Sequence, residues 1–409
     1  MPMSIKNRIK ALLLRKRPLF RLSWRYSLPC DGYIKLHRWV MLRSLQKQPL
    51  LLVSFIYSLI SWYVCWFWVA AYRSCLQFNQ QAINDGVSIP SQIFGLLRAG
   101  LGQGISGFDY YRFKLYQTSS ILWWQYVFDF QLPFFHSTYQ LNAISPTSQT
   151  FLSNKLTFAQ RLSKAGGQPV ATLDSVNLKD NWAIEAWLKL SDNLFIKPDS
   201  ASRSIGCVSL TKHDTDWQFD YLGKQYYGDE GLNAVKALLP TCNYIVQPLL
   251  NHHFEMNAWQ DSDKTITLRI VSCLEQGKCH LVVGNLELND DSHRRFNVFA
   301  IDVSNGSVIL DQEYCAKVMG VDLATQVTIP FWQSVVDEVT LAHSLCADVH
   351  TVGWDVVITD TEVVLLEGNI NWGVSPLQYA AQAPLLPLLI SQSSQFAVTP
   401  TKASTVDLR

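Results

Sequence analysis

The segment VGWDVVITDTEVVLLEGNINWG, residues 352–373, decides how the rest of this chain is read. Two apolar runs flank a short polar turn, which is the signature of a β-hairpin. Side chains alternate between the two faces of a strand, so in the series Val363, Leu365, Glu367 and Asn369 the last two point together. A turn Asp360-Thr361-Glu362 centred on Thr361 sets Asp355 directly opposite Glu367 across an antiparallel pair. Like charges so placed repel unless a cation lies between them. Two carboxylates and an amide oxygen suit Mg²⁺ when phosphate oxygens complete its octahedron. Asp355, Glu367 and Asn369 are therefore the candidate metal ligands, and a magnesium nucleotide is the expected occupant. The bland alternative is a pair of solvated carboxylates. The neighbours Trp354, Val357, Leu365 and Leu366 weigh against it by predicting burial.

A phosphate chain also needs cations, and the sequence upstream supplies candidates. Asn154 or Ser153 caps a helix whose apolar residues Leu156, Phe158, Ala159 and Leu162 recur at helical spacing, ending at Gly166-Gly167. Lys155 sits at the start of that helix, where the backbone dipole already favours an anion. Lys197 ends the strand LFIKP and leads into PDSASRSIG, a loop of small residues that lets backbone N–H groups approach phosphate. Ser202, Arg203 and Gly206 are the candidate phosphate contacts within it. Gln247, in the strand YIVQPLL, is placed to meet an adenine edge. Arg269, in TITLRIV, must find a carboxylate or a phosphate partner inside an apolar strand. Each lysine alone reads more simply as solvated surface, Gln247 as an ordinary strand residue, and Arg269 equally well as a structural ion pair. Pro330 opens a helix in which Val335, Val336, Val339 and Ala342 share a face. Strands joined as hairpins with helices interspersed argue for an α+β fold.

In their order and spacing NKLTFAQRL, LFIKPDSASRSIG, YIVQPLL, TLRIVS, GWDVVIT and LLEGNINWG resemble the ATP-grasp enzymes, specifically the sugar-transfer-associated branch. The resemblance covers about Phe151 to Gln378. It implies a nucleotide clasped between two α+β subdomains, with ATP and Mg²⁺ as cofactors. Lys155 and Lys197 would touch phosphates, Gln247 would lie at the adenine hinge, and Arg269 would approach the γ-phosphate or an acyl phosphate. Lys197 and Arg269 would thus be the catalytic pair. Ser200, Ala201, Ser202 and Ser204 stand where the family carries glycines. The implied activity is a carboxylate–amine ligase acting through an acyl phosphate on small or sugar-linked substrates, in cell-surface polysaccharide or sugar-conjugate modification. A nucleotide-binding scaffold without turnover and a kinase of a sugar- or lipid-linked acceptor are the alternatives. The polar stretch Asn371, Trp372, Gly373, Ser375 and Gln378 is where an acceptor would bind, and His253 is expected at the surface.

Outside residues 151–390, assigned to the ATP-grasp domain, the chain reads differently. Residues 1–48 form a basic segment with twelve Lys and Arg against the single acid Asp31. Without a nucleic-acid-binding signature, this charge favours an anionic membrane surface. Residues 49–73 include 23 consecutive uncharged residues, Leu50 to Tyr72, enough to cross a hydrocarbon core of about 30 Å. One span with the basic flank inside would leave the ATP-binding part outside, where ATP is scarce. The segment is therefore a re-entrant or in-plane anchor, a span of reversed orientation, or a helix buried in protein. A catalytic domain in the cytoplasm at the inner face of the plasma membrane is the expected location. Residues 74–150 read as a helical lead-in whose aromatic run is core, and residues 391–409 as a polar tail. The nine cysteines are scattered without a Cys-x-x-Cys pair, so neither a disulfide framework nor a zinc site is expected.

Overall fold

The computed structural model describes residues 16–27, 32–139, 144–200, 206–213, 216–260, 264–275, 277–290 and 295–391. Lys6, Arg8, Lys10, Arg15, Cys30, Ser202, Arg203 and residues 392–409 of the tail lie outside the described residues. The chain divides into two compact units, Met1–Leu141 with Asn371–Arg409, and Asn142–Ile370. The sequence reading puts these divisions at 150 and 390. Residues 371 onward instead belong with the N-terminal unit, because their polar groups are consumed there. The His136 Nε2–H donates to the Trp372 carbonyl at 2.8 Å, Gln378 bonds both the N–H and the carbonyl of Val127, and Ser375 donates to Asp129. Trp372 and Gln378 are each only 1% exposed. Of the expected acceptor residues, Trp372, Ser375 and Gln378 are thus packed structure, while Asn371 is exposed.

The N-terminal unit is helical. α1 (Gly32–Lys47) leads into α2, a continuous 34-residue helix, Leu51–Asn84, with a π turn at Trp62–Trp66. The apolar helix therefore runs beyond the expected end at residue 73. α3 (Ile89–Leu97) starts with Ser88 as its N-cap and proline in the first turn, and α4 (Gly107–Arg112) is capped by Ser106. The aromatic run is core: Tyr110, Tyr111, Trp123, Tyr126 and Phe128 form one buried cluster. The eight described cysteines are all free thiols.

The central unit holds two sheets, antiparallel throughout, as the α+β reading expects. The six-stranded sheet comprises β1 (Asp174–Asn177), β2 (Asn193–Pro198), β3 (Val208–His213), β4 (Asp216–Tyr221), β5 (Lys224–Tyr227) and β6 (Asn243–Pro248), in the order β1-β6-β2-β3-β4-β5. The seven-stranded sheet comprises β7 (Thr267–Glu275), β8 (Lys278–Asp290), β9 (Arg295–Asp302), β10 (Ser307–Leu310), β11 (Thr325–Thr328), β12 (Thr351–Ile358) and β13 (Val363–Asn369), in the order β11-β10-β9-β8-β7-β12-β13. Two cores result. Leu194, Ile196, Leu210 and Val246 face one that Trp187 and Val235 complete. Ile270, Leu286, Trp354 and Val356 face the other, roofed by Val335, Val339 and Ala342 of a helix at Trp332–Ser344. Since each strand alternates, every residue one step out of those series points away from its core. His253 is not at the surface: it is 5% exposed, stacked on Phe254, with its Nδ1 accepting from the Glu255 N–H.

Candidate functional site

The site is assembled from the faces that the two cores leave uncovered. On the six-stranded sheet, Lys197 lies opposite Ile245 and Phe195 opposite Gln247, all four on the face away from Ile196 and Val246. On the seven-stranded sheet one row of directly paired residues crosses four strands: Glu367, Asp355, Arg269 and Asn285. Lys155 links the two sheets. It opens α5 (Lys155–Lys164), whose N-cap is Asn154, with Oδ1 accepting from the Thr157 N–H at 2.8 Å. The Lys155 N–H donates to the Asp199 carbonyl just beyond β2 at 2.9 Å. Its side chain reaches the other way, placing Nζ 3.3 Å from Glu367 Oε2.

The pairing of Asp355 with Glu367 is the one the sequence implies, but a different device produces it. Next to the turn the register is Ile358 with Val363 and Val356 with Leu365, and it shifts by one residue before Asp355 meets Glu367. Strict alternation from Val363 and Leu365, both in the core, would carry Glu367 and Asn369 into that core as well. The bulge at Leu366 reverses the parity and turns both toward the uncovered face. Gly368 makes this fold-over possible, because a Cβ there would lie 2.6 Å from Trp354 and 2.7 Å from Leu152.

The electrostatics follow from burial. Asp355 is 8% exposed; burial first, then Glu367 and Glu287, push its carboxyl up to about 7 against the pull of Arg269. Arg269 Nε abuts Asp355 Oδ1 as an ion pair, yet neither atom is aligned for a hydrogen bond. Burial also works to raise Glu367, but Lys155, the Asn369 amide and Lys197 outweigh it and hold Glu367 below the usual range. Asn369 Nδ2 donates to Glu367 at 3.0 Å. Lys197 is itself buried; desolvation, then the Lys155 charge, lower it to about 8 although Glu367 and Asp355 pull the other way. It is therefore no solvated surface lysine.

Asp355 Oδ1, a buried acceptor without a hydrogen bond, and the neighbouring Glu367 and Asn369 form a donor set that Mg²⁺ would fit. Among the described residues no group of three or more His, Cys, Asp or Glu side chains is placed to hold a metal ion. Two carboxylates and an amide make less than an all-protein cage, which is the usual condition of a Mg²⁺ site completed by phosphate oxygens.

The remaining candidates fall nearby with distinct partners. Gln247 is buried, its Nε2 directed at the Val170 carbonyl and Thr172 Oγ1, both at 3.5 Å. A cleft of about 680 Å³ lies at this end of the unit, lined by Leu156, Gln160, Thr172, Pro248 and Leu250 among others. Gly206 has φ +79°, a backbone conformation that favours glycine, and sits against Pro198 and Pro240. Three participants are absent from the sequence reading: Asn285, Glu287 and Cys207. Asn285 donates to Glu287 at 3.3 Å, and burial, opposed by Lys197 and Lys155, raises the half-buried Cys207 thiol. The alternation Asn285, Leu286, Glu287, Leu288 is the signal that places Asn285 and Glu287 on the same face as Arg269.

These features define an α+β unit in which Lys197 of one sheet and Lys155 of α5 are set against the carboxylates of the other sheet. Residues 318–393 match the family model described as sugar-transfer associated ATP-grasp, a stretch that includes Asp355, Glu367 and Asn369. No curated protein matches the chain. Among solved structures it is similar to D-alanyl-alanine synthetase A from Vibrio cholerae at 13% identity, TM-score 0.37, covering 62% of this chain and 65% of that one. It is similar to an L-amino acid ligase from Bacillus licheniformis at 15% identity and TM-score 0.36, covering 66% of this chain and 56% of that one. A third is N5-carboxyaminoimidazole synthetase from Staphylococcus aureus complexed with ADP, at 11% identity and TM-score 0.38, covering 61% and 54%. The chain spans less than two thirds of each of these proteins. Similarity at this level carries no argument about activity.

Proposed function

We propose that this chain is an ATP- and Mg²⁺-dependent carboxylate–amine ligase of the ATP-grasp type, acting through an acyl phosphate. The observation that supports it is the meeting of Lys155 and Lys197 with Asp355 and Glu367, a cation pair set against a carboxylate pair. A phosphate chain with its metal matches both halves at once. In this reading Asp355, Glu367 and Asn369 hold Mg²⁺, and Lys155 and Lys197 take phosphate oxygens with Ser202, Arg203 and Gly206 of the connecting loop. Gln247 lies at the adenine edge, and Arg269 faces the transferred phosphoryl group.

The bound metal ion would offset charge on the phosphate oxygens. The substrate carboxylate oxygen attacks the γ-phosphorus and the bond to ADP breaks. An amine then attacks the acyl carbon, phosphate leaves with the bonding pair, and the amine gives up a proton. None of this needs a side-chain nucleophile, so the work of the chain is positioning and charge stabilisation. The matched family description supports sugar-linked substrates, the apolar helix supports membrane contact, and the need for ATP favours the cytoplasmic face.

Phosphate release from ATP, measured over paired panels of carboxylates and amines, tests the proposal. A ligase releases phosphate in a way that depends on both partners. Phosphorylation of a hydroxyl acceptor without any amine would mean a kinase, and ATP binding with no release under any pair would mean a scaffold.

A further inference from the structure

We infer that the N-terminal unit docks on an anionic phospholipid surface with α2 lying in the plane of the membrane rather than crossing it. This deepens the membrane contact proposed above by fixing its geometry. At about 1.5 Å per residue, the 34 residues of α2 extend roughly 51 Å, and by length and composition the helix is able to cross a bilayer. Its packing argues otherwise. One side is buried along the whole length, through Phe55, Ser58, Trp62, Phe67, Ser74 and Ala82, each 8% exposed or less.

That side is covered by protein: Phe55 joins a cluster with Leu19, Phe20 and Met41, Ala82 one with Leu96, Tyr110 and Tyr111, and polar groups reach it as well. The Leu19 N–H donates to Ser58 Oγ at 3.0 Å and Trp62 Nε1 to the Gly100 carbonyl at 3.1 Å. Gly107, which opens α4, approaches Ser74 so closely that any side chain there would collide with it. Two residues on, α4 carries Ser106-capped Asp109, ion-paired to Arg17 at 3.0 Å. Passing α2 through hydrocarbon would draw this pair and its loop in as well, an expensive burial with no function to justify it.

The opposite side of α2 has the chemistry of an interface. Val53, Ile56, Ile60, Val64, Trp68 and Tyr72 are exposed and follow one another at three- or four-residue spacing, and α3 adds exposed Ile93 and Phe94. On α1 the exposed residues Lys35, Trp39, Leu42, Arg43 and Lys47 again recur at helical spacing. From Gly32 to Asn84 there are five cations, Lys35, Arg38, Arg43, Lys47 and Arg73, and no Asp or Glu. An apolar stripe with aromatic residues and unopposed cations beside it fits anionic headgroups over acyl chains. A second copy of the chain fits worse, because a two-fold contact would bring the same cations together.

Full-length protein is tested by sedimentation with vesicles of phosphatidylcholine, alone or mixed with phosphatidylglycerol. Binding is expected to the mixed vesicles, weakened about fivefold or more by Arg43→Glu with Lys47→Glu, and lost in Ile60→Glu with Val64→Glu. ATP affinity and melting temperature should hold in both variants, since all four residues are exposed. With Cys65→Ser and cysteines introduced as Gln48→Cys or Gln81→Cys, an impermeant maleimide should label both positions from the same side of sealed vesicles. Labelling from opposite sides, or absence of vesicle binding with a dimer that Ile60→Glu splits, overturns the proposal. Vesicle binding and ATP binding are read separately, so failure of one leaves the other standing.

Discussion

The two sheets of the central unit solve the same problem differently. Each must expose charge on the face its core does not cover. The six-stranded sheet does so with one buried lysine among Phe195, Ile245 and Gln247, and it tolerates the cost by lowering the affinity of Lys197 for its proton. The seven-stranded sheet concentrates Glu367, Asp355 and Glu287 and places Arg269 beside Asp355. A single buried charge can be eased by losing its proton. Neighbouring like charges need a counter-ion within the sheet, and even then Asp355 titrates well above an ordinary carboxyl. Each sheet is short of what the other has, and Lys155 reaching Glu367 is the partial remedy present without ligand.

The largest effect that would sharpen this contrast is expected from Glu367→Gln. Calorimetry should show Mg²⁺-dependent ATP affinity falling by about 100-fold or more; an unchanged affinity would mean the carboxylate sheet is not the metal-holding half. Arg269→Met should come next. It strips the buried Asp355 of its counter-ion, and the metal-free protein should lose about 2 kcal/mol in denaturant unfolding once partial exposure of the pair is allowed for.

Lys197→Met should weaken ATP binding by about tenfold without lowering metal-free stability, since the cation it removes is desolvated. The sign of the pH dependence follows. Folding moves Lys197 from 10.5 to about 8, so within that window the unfolded chain holds more protons. The contribution of Lys197 to stability therefore rises with pH, while ATP affinity falls as pH passes about 8. A wild-type affinity profile as flat as that of Lys197→Met would break the contrast. The smallest effect is expected from Gly368→Ala, which presses a methyl group on Trp354 and Leu152 and should cost about 1 kcal/mol in thermal or denaturant unfolding.

The hairpin at 352–373 was legible because alternation and charge point to one geometry, and Asp355 does face Glu367. Its bulge was not legible: nothing local distinguishes a turn centred on Thr361 from a one-residue-longer loop corrected at Leu366, and only the demands of the core decide. Lys155 and Lys197 could be suspected from a helix start and a strand end, but their burial depends on contacts nearly fifty residues apart or more. Glu287 escaped notice because a strand alternating Asn, Leu, Glu and Leu reads as an ordinary half-buried strand until its register with Arg269 is known. The polar residues after Asn369 misled for the converse reason. Ser375 and Gln378 look like ligand groups, yet they satisfy Asp129 and the backbone of Val127.

The decisive measurement is Mg²⁺-dependent ATP binding to the full chain, by calorimetry, for the wild type, Glu367→Ala and Lys197→Ala. The wild type should bind ATP with Mg²⁺ and far more weakly without it, and both variants should lose this binding while remaining folded. A folded wild type that binds no ATP, or variants that bind as the wild type does, would contradict the proposed site.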